Sequence, residues 1–161
     1  MTRALVVYYS RTGYTQRIAE ELARALACDI CPIQEERVRR GLLGYLRSVY
    51  EAVRHKQPTI AAPARDPGQY DVVVIGTPVW GWSLSSPVRA FAQRYGDRFA
   101  RVAFFCTMGG SGAQKVFGEL QQIVRLAPVA TLGLTDAEID AGTYLQKVGR
   151  FATLLRELVT A

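Results

Sequence analysis

The run Ser10-Arg11-Thr12-Gly13-Tyr14-Thr15 places three aliphatic hydroxyls, a guanidinium and a glycine in six consecutive residues. It lies between an apolar run, Ala4 to Tyr9, and a stretch whose apolar residues Ile18, Leu22 and Leu26 recur every four positions. A strand that turns straight into a helix through such residues suits an anion. The first N–H groups of a helix lack internal partners and carry partial positive charge, and a glycine lets the backbone approach closely. The spacing is neither G-x-G-x-x-G nor G-x-x-x-x-G-K-[ST], which disfavours dinucleotide and P-loop readings. Ordinary capping by Ser or Thr is the plainer alternative. One cap needs one hydroxyl, however, and this turn carries three.

Two later stretches join it. Thr77-Pro78-Val79-Trp80-Gly81-Trp82 puts two indoles in a Pro- and Gly-flanked loop after an apolar run. Either indole could pack against a neighbouring helix, and either could stack on a planar heterocycle. Thr107-Met108-Gly109-Gly110-Ser111-Gly112 follows another apolar run, and its glycines would let main-chain N–H and C=O groups lie against a ligand edge. Alone, it reads as a mobile turn.

The elements that must position these loops follow from periodicity. Strands are expected at Arg3 to Tyr9, Cys28 to Ile33, Tyr70 to Gly76, Val102 to Cys106 and Val129 to Leu134. Helices are expected from Tyr14, along the face marked by Leu42, Leu46, Val49, Tyr50 and Val53, and at Pro87 to Tyr95, Gly112 to Leu126 and Thr143 to Val159. Alternation of strand and helix predicts an α/β fold, a parallel sheet with helices on both faces. In such folds ligands bind beyond the carboxyl ends of the strands, where the strand order reverses. All three loops follow strands at that edge.

The 161 residues, 49 % of them hydrophobic, suit one domain spanning 1–161. The first apolar run is too short for a signal core or a membrane span, and three cysteines make no disulfide framework. A soluble, cytoplasmic protein without membrane insertion is expected. The formal charge of +6 favours acidic partners. Its arginines are scattered without a nucleic-acid reading motif, so nucleic acid is disfavoured. Arg39, Arg40, Arg47 and Arg54 concentrate charge between Arg37 and Lys56, either as the solvated face of a docked helix or as a docking surface.

Cys28 and Cys31 match C-x-x-C, but residues three apart on a strand face opposite ways, so inert thiols are expected. Cys106 reads as a core residue. Three cysteines and the single His55 offer neither a zinc site nor a Ser-His-Asp arrangement. No residue is assigned a catalytic or metal-binding role.

A phosphate cradle, an aromatic loop and a glycine loop on one sheet edge suit an aromatic mononucleotide. The sequence resembles the flavodoxin family, whose signature is a strand, Ser/Thr-x-Thr-Gly-x-Thr and a helix, here Ser10 to Thr15. The resemblance covers essentially the whole chain. It implies a three-layer sandwich with a five-stranded parallel sheet of order 2-1-3-4-5. It also implies FMN, its phosphate wrapped by Ser10 to Thr15 and its ring held by Thr77 to Trp82 and Thr107 to Gly112. The chain departs from the acidic one-electron carriers of the family in being basic and in lacking an aromatic within Thr107 to Gly112. Trp80 is expected to stack on one ring face, leaving the other open or covered from elsewhere. Positive charge near the ring implies a less negative potential for the second electron. Three functions stay open: an electron carrier working with a redox partner protein, an NAD(P)H-dependent quinone or small-molecule reductase, and a cofactor-free interaction domain.

Overall fold

The computed structural model describes residues 2–36 and 58–161. The basic segment Arg37 to Lys56, with its expected helix and His55, lies outside the described residues. Five strands run parallel: β1 (Ala4–Tyr8), β2 (Asp29–Pro32), β3 (Val72–Trp80), β5 (Val102–Met108) and β6 (Thr131–Thr135). Their order across the sheet is β2-β1-β3-β5-β6, which is the expected 2-1-3-4-5 order of the parallel strands. A two-residue strand, β4 (Ser83–Leu84), folds back antiparallel on the end of β3. The helices are α1 (Tyr14–Leu26), α2 (Ser86–Tyr95), α3 (Ala113–Val124), α4 (Asp136–Ala141) and α5 (Tyr144–Thr160).

Strand alternation divides the core in two. Leu5, Val7, Val73, Ile75, Phe104 and Cys106 face α2 and α3, where they meet Val88, Phe91, Phe117 and Leu120. Val6, Val74, Ala103 and Phe105 face α1 and α5, against Ile18, Leu22, Val148 and Phe151. Burial on both faces explains why these strands read as continuous apolar runs rather than alternating ones. The two cysteines of C-x-x-C separate as their spacing predicts: Cys31 is buried on the α2/α3 side, whereas Cys28 packs on the α1/α5 side.

Two differences from the sequence expectation bear most on the site. Gly76 does not end its strand, since β3 continues to Trp80 and pairs Thr77 with Cys106 and Pro78 with Thr107. The glycine answers to packing instead. A Cβ there would lie 2.0 Å from the Phe105 ring, which crosses the strand at that point. Pro78 is tolerated because β1 has already ended opposite Gly76, leaving the proline N on an unpaired side. The second difference is α4, which precedes the expected closing helix. Its start is fixed by a capping box, in which the Thr135 hydroxyl accepts from the Glu138 N–H and the Glu138 carboxylate accepts from the Thr135 N–H. Among the described residues no helix is long and apolar enough to cross a membrane.

Candidate cofactor site

The strand order reverses between β1 and β3, and the loops after β1, β3 and β5 meet at that carboxyl edge. The chain leaves β1 at Tyr8 and enters α1 through Gly13, which has φ 101°. A glycine occupies the N-cap position and no side chain caps α1. Ser10 Oγ accepts from the Gly13 N–H at 3.1 Å, which closes the turn without reaching the helical amides. The first-turn amides of α1 are therefore left for something else, and simple capping by Ser or Thr is set aside. Arg11, Thr12 and Gly13 are exposed, and a Cβ on Gly13 would meet nothing within 4 Å.

Thr15 turns inward. Its Oγ1 lies 2.8 Å from Thr107 Oγ1, and both residues are buried. This bond fastens the first turn of α1 to the end of β5. Tyr14 turns the other way, and its hydroxyl donates to Oδ1 and Oδ2 of Asp140 at 3.0 and 2.9 Å. That hydrogen bond holds the phenol above its ordinary pKa. Asp136 is raised as well, by burial first and by Asp140 second.

Trp80 ends β3 half-buried. The Tyr9 ring meets it edge-on at 5.7 Å, and the Arg11 guanidinium sits 5.8 Å from its ring centroid. Tyr9 in turn donates its hydroxyl to Glu35 at 3.0 Å. Trp80 is thus framed by residues of the β1 loop. Gly81 and Trp82 form the two-residue turn between β3 and β4, with φ of 54° and 59°. Positive φ at both turn positions matches the twist of a hairpin. Trp82 is 65 % exposed, and its indole N–H donates to Ser111 Oγ at 2.9 Å. The aromatic that the Thr107–Gly112 loop lacks is delivered to it by Trp82.

Thr77 is fully buried; its hydroxyl donates to the Pro78 carbonyl at 2.8 Å and lies 2.9 Å from Ser85 Oγ. It serves the β3–β4 turn rather than the surface. Val79 and Met108 are partly buried against the α2/α3 core. Gly109 and Gly110 are exposed, with open space where a Cβ would be. Gly112 starts α3 at φ 110° without a side-chain cap, as Gly13 starts α1. A Cβ on Gly112 would lie 2.8 Å from Val79 Cγ1 and 3.4 Å from Trp82 Cα, so the two loops interlock there.

Sequence reasoning passed over Tyr9, Asp136 and Asp140. Tyr9 had a signal, an aromatic residue directly following the β1 strand; the aspartates had none, because only the fold brings α4 beside α1. Cys106 is fully buried, and burial pushes its thiol up to about 12. Burial likewise lifts Cys28 to about 11. Neither is a nucleophile at neutral pH. Among the described residues no group of His, Cys, Asp and Glu could hold a metal ion.

A family model described as Flavodoxin matches residues 3–132. The chain belongs to the flavodoxin family. Among solved structures, this flavodoxin-family chain overlays a Bacteroides uniformis protein with a TM-score of 0.75 at 24 % identity, covering 94 % of this chain and 98 % of that one. It also overlays a Lactobacillus acidophilus flavoprotein in complex with FMN, with a TM-score of 0.69 at 19 % identity, covering 88 % and 98 %. Both likenesses speak to the fold. In sequence, the flavodoxin-family chain is 29 % identical over 113 residues to an NAD(P)H dehydrogenase (quinone) of Cupriavidus metallidurans, covering 69 % of this chain and 55 % of the relative. The chain spans about half the length of the curated relatives it matches.

Proposed function

We propose that the chain binds FMN non-covalently and passes electrons through it. The observation that carries this reading is the start of α1: a left-handed glycine, no side-chain cap, hydroxyls in the same turn, and a framed tryptophan beside it at the strand-order reversal. A phosphate monoester would take the first-turn amides with Ser10 and Thr12, where the helix dipole favours negative charge. The Thr15–Thr107 bond holds that turn against β5. Trp80 offers a stacking surface for a planar ring, and Gly109 and Gly110 leave backbone groups free to meet its polar edge. FMN, when bound, supplies the redox chemistry; the protein orients it and sets its electrostatic surroundings. The acceptor is a redox partner or a small molecule, and the formal charge of +6 favours an acidic one.

The test compares FMN with riboflavin. FMN added to purified protein should be retained and its fluorescence quenched, with riboflavin bound at least about tenfold more weakly, since each factor of ten is about 1.4 kcal/mol of phosphate recognition. Equal affinity for the two, or no uptake of FMN, overturns the phosphate site.

A second reading is an NAD(P)H-dependent quinone reductase. It is favoured by the exposed Trp82 beside the glycine loop and by the quinone-reducing activity named for the relatives. Hydride from NAD(P)H and one proton would reduce a quinone to its hydroquinone, leaving NAD(P)+. Anaerobic mixing of FMN-loaded protein with NADPH distinguishes the two: rapid bleaching without a partner reductase supports the reductase, and persistence of the yellow colour supports the carrier.

A further inference from the structure

Tyr14 is the first residue of α1, and its phenol reaches away from the helix to another element. The hydroxyl donates to both carboxylate oxygens of Asp140, at 3.0 and 2.9 Å, across 126 positions of sequence. One turn along, the Arg17 guanidinium lies 5.4 Å from the centroid of the Tyr144 ring. The start of α1 is thus tied on its outer side to α4 and α5, as Thr15 ties it on its inner side to β5. The two sides differ in kind. Thr15 and Thr107 form a buried pair of neutral hydroxyls, whereas Asp140 brings an exposed carboxylate.

A carboxylate has the wrong charge for this place. The uncapped first-turn amides of α1 suit an anion, and Asp140 stands one phenol away from that turn. It is also close enough to Asp136 to help raise that carboxyl above its ordinary pKa. Two carboxylates near a bound phosphate oppose it by like-charge repulsion, although solvent around Asp140 weakens the effect. A hydrogen bond to a carboxylate, by contrast, is stronger than one between neutral groups. Asp140 therefore opposes the ligand through its charge and supports it through the turn it holds. We propose that Asp140 is a positioning residue for phosphate recognition, acting through the Tyr14 hydroxyl. It fixes the first turn of α1 so that its amides meet the phosphate monoester, and this gain exceeds the repulsion. The proposal rests on the FMN reading above and adds to it a residue from outside the three loops.

Charge and tether act in opposite directions, so substitutions separate them. The experiment measures the dissociation constants of FMN and riboflavin, by equilibrium dialysis, for the wild type, Tyr14→Phe, Asp140→Ala and Asp140→Asn. Tyr14→Phe keeps the charge and removes the donor, and it changes one oxygen on a half-buried ring, so folding is retained. Asp140→Ala removes both charge and acceptor; Asp140→Asn removes the charge and keeps an acceptor oxygen. FMN should bind about tenfold more weakly to Tyr14→Phe and about threefold more weakly to Asp140→Ala, where loss of the charge offsets part of the lost hydrogen bond. Asp140→Asn should restore wild-type affinity or exceed it by up to about threefold. Riboflavin, which has no phosphate, should change less than about twofold throughout.

Unchanged or tighter FMN binding to Asp140→Ala overturns the proposal, because the residue would then act by charge alone. Equal weakening of FMN and riboflavin also overturns it, since the tie would then serve the fold and not the phosphate. So does an Asp140→Asn that loses as much affinity as Asp140→Ala. A wild type that binds FMN no better than riboflavin sinks the FMN reading instead. The tether is then read without ligand, by hydrogen exchange of the Arg17 N–H, which donates to the Gly13 carbonyl at 3.0 Å and closes the first turn. Tyr14→Phe and Asp140→Ala should speed that exchange about tenfold, and Asp140→Asn less than about threefold. Equal exchange in all four proteins overturns the tether as well.

Discussion

The Oγ1 atoms of Thr15 and Thr107 lie 2.8 Å apart in the buried seam between α1 and β5, 92 residues apart in sequence. This hydrogen bond couples the loop that would hold a phosphate to the loop that would hold a ring edge. Replacing one threonine by valine strands the other hydroxyl away from water, which costs about 1–3 kcal/mol. Replacing both leaves no orphan, so the double variant should recover most of that loss. Urea denaturation of the two single variants and the double variant gives the coupling directly. Additive losses would show that the pair is not a unit.

Gly13 and Gly112 start α1 and α3 with φ of 101° and 110°, but their surroundings differ. A methyl group at Gly13 meets open space, so Gly13→Ala should lose only the backbone preference, about 1–2 kcal/mol. At Gly112 the same methyl group would also lie 2.8 Å from Val79 Cγ1, so Gly112→Ala should lose more, by about 1–3 kcal/mol of overpacking. Thermal denaturation ranks the two; equal shifts in Tm would contradict the interlock of the β3 and β5 loops.

Arg11 sits over the Trp80 ring, and as an exposed cation–π pair it is worth about 0.5–1 kcal/mol. Arg11→Gln should raise the dissociation constant of FMN about three- to tenfold by removing a cation beside an anionic ligand, and should flatten its salt dependence. Titration of FMN at two salt concentrations checks both. An unchanged salt dependence would mean that Arg11 serves only to orient Trp80.

Burial lifts Cys106 from 9.0 to about 12 and Cys28 from 9.0 to about 11. A thiol with a raised folded pKa contributes stability that is complete below its unfolded value and is lost as pH climbs through the folded one. Stability should therefore fall from about pH 9 towards pH 12 by at least about 1 kcal/mol. Cys106→Ala should show a shallower fall over the same window in urea titrations. A profile indistinguishable from wild type would remove Cys106 from the account.

Much of this architecture was legible because its signals are local. Ile18 and Leu22 announce α1, and the β-branched run of β3 announces a buried strand. The capping box of Thr135 and Glu138 was equally local and marks α4, which periodicity missed because a six-residue helix holds too few apolar repeats. The role of Gly76 was not local, since it depends on Phe105 crossing from the next strand. Nor was the fate of the hydroxyls: Thr12 is left to solvent, while Thr15 is committed to Thr107. The exposed position of Trp82 likewise follows from a left-handed turn that no pattern of types predicts.

The uncapped start of α1 has one more consequence. Its groups around Gly13, amides and the hydroxyls of Ser10 and Thr12, neither gain nor lose a proton in the physiological range. A grip built this way does not answer to acidity on its own account. Retention of a phosphate monoester between pH 5 and 8 would then follow the guest, whose second ionisation lies near about 6. Acidification would loosen the ligand by changing the ligand, while the protein stayed as it was.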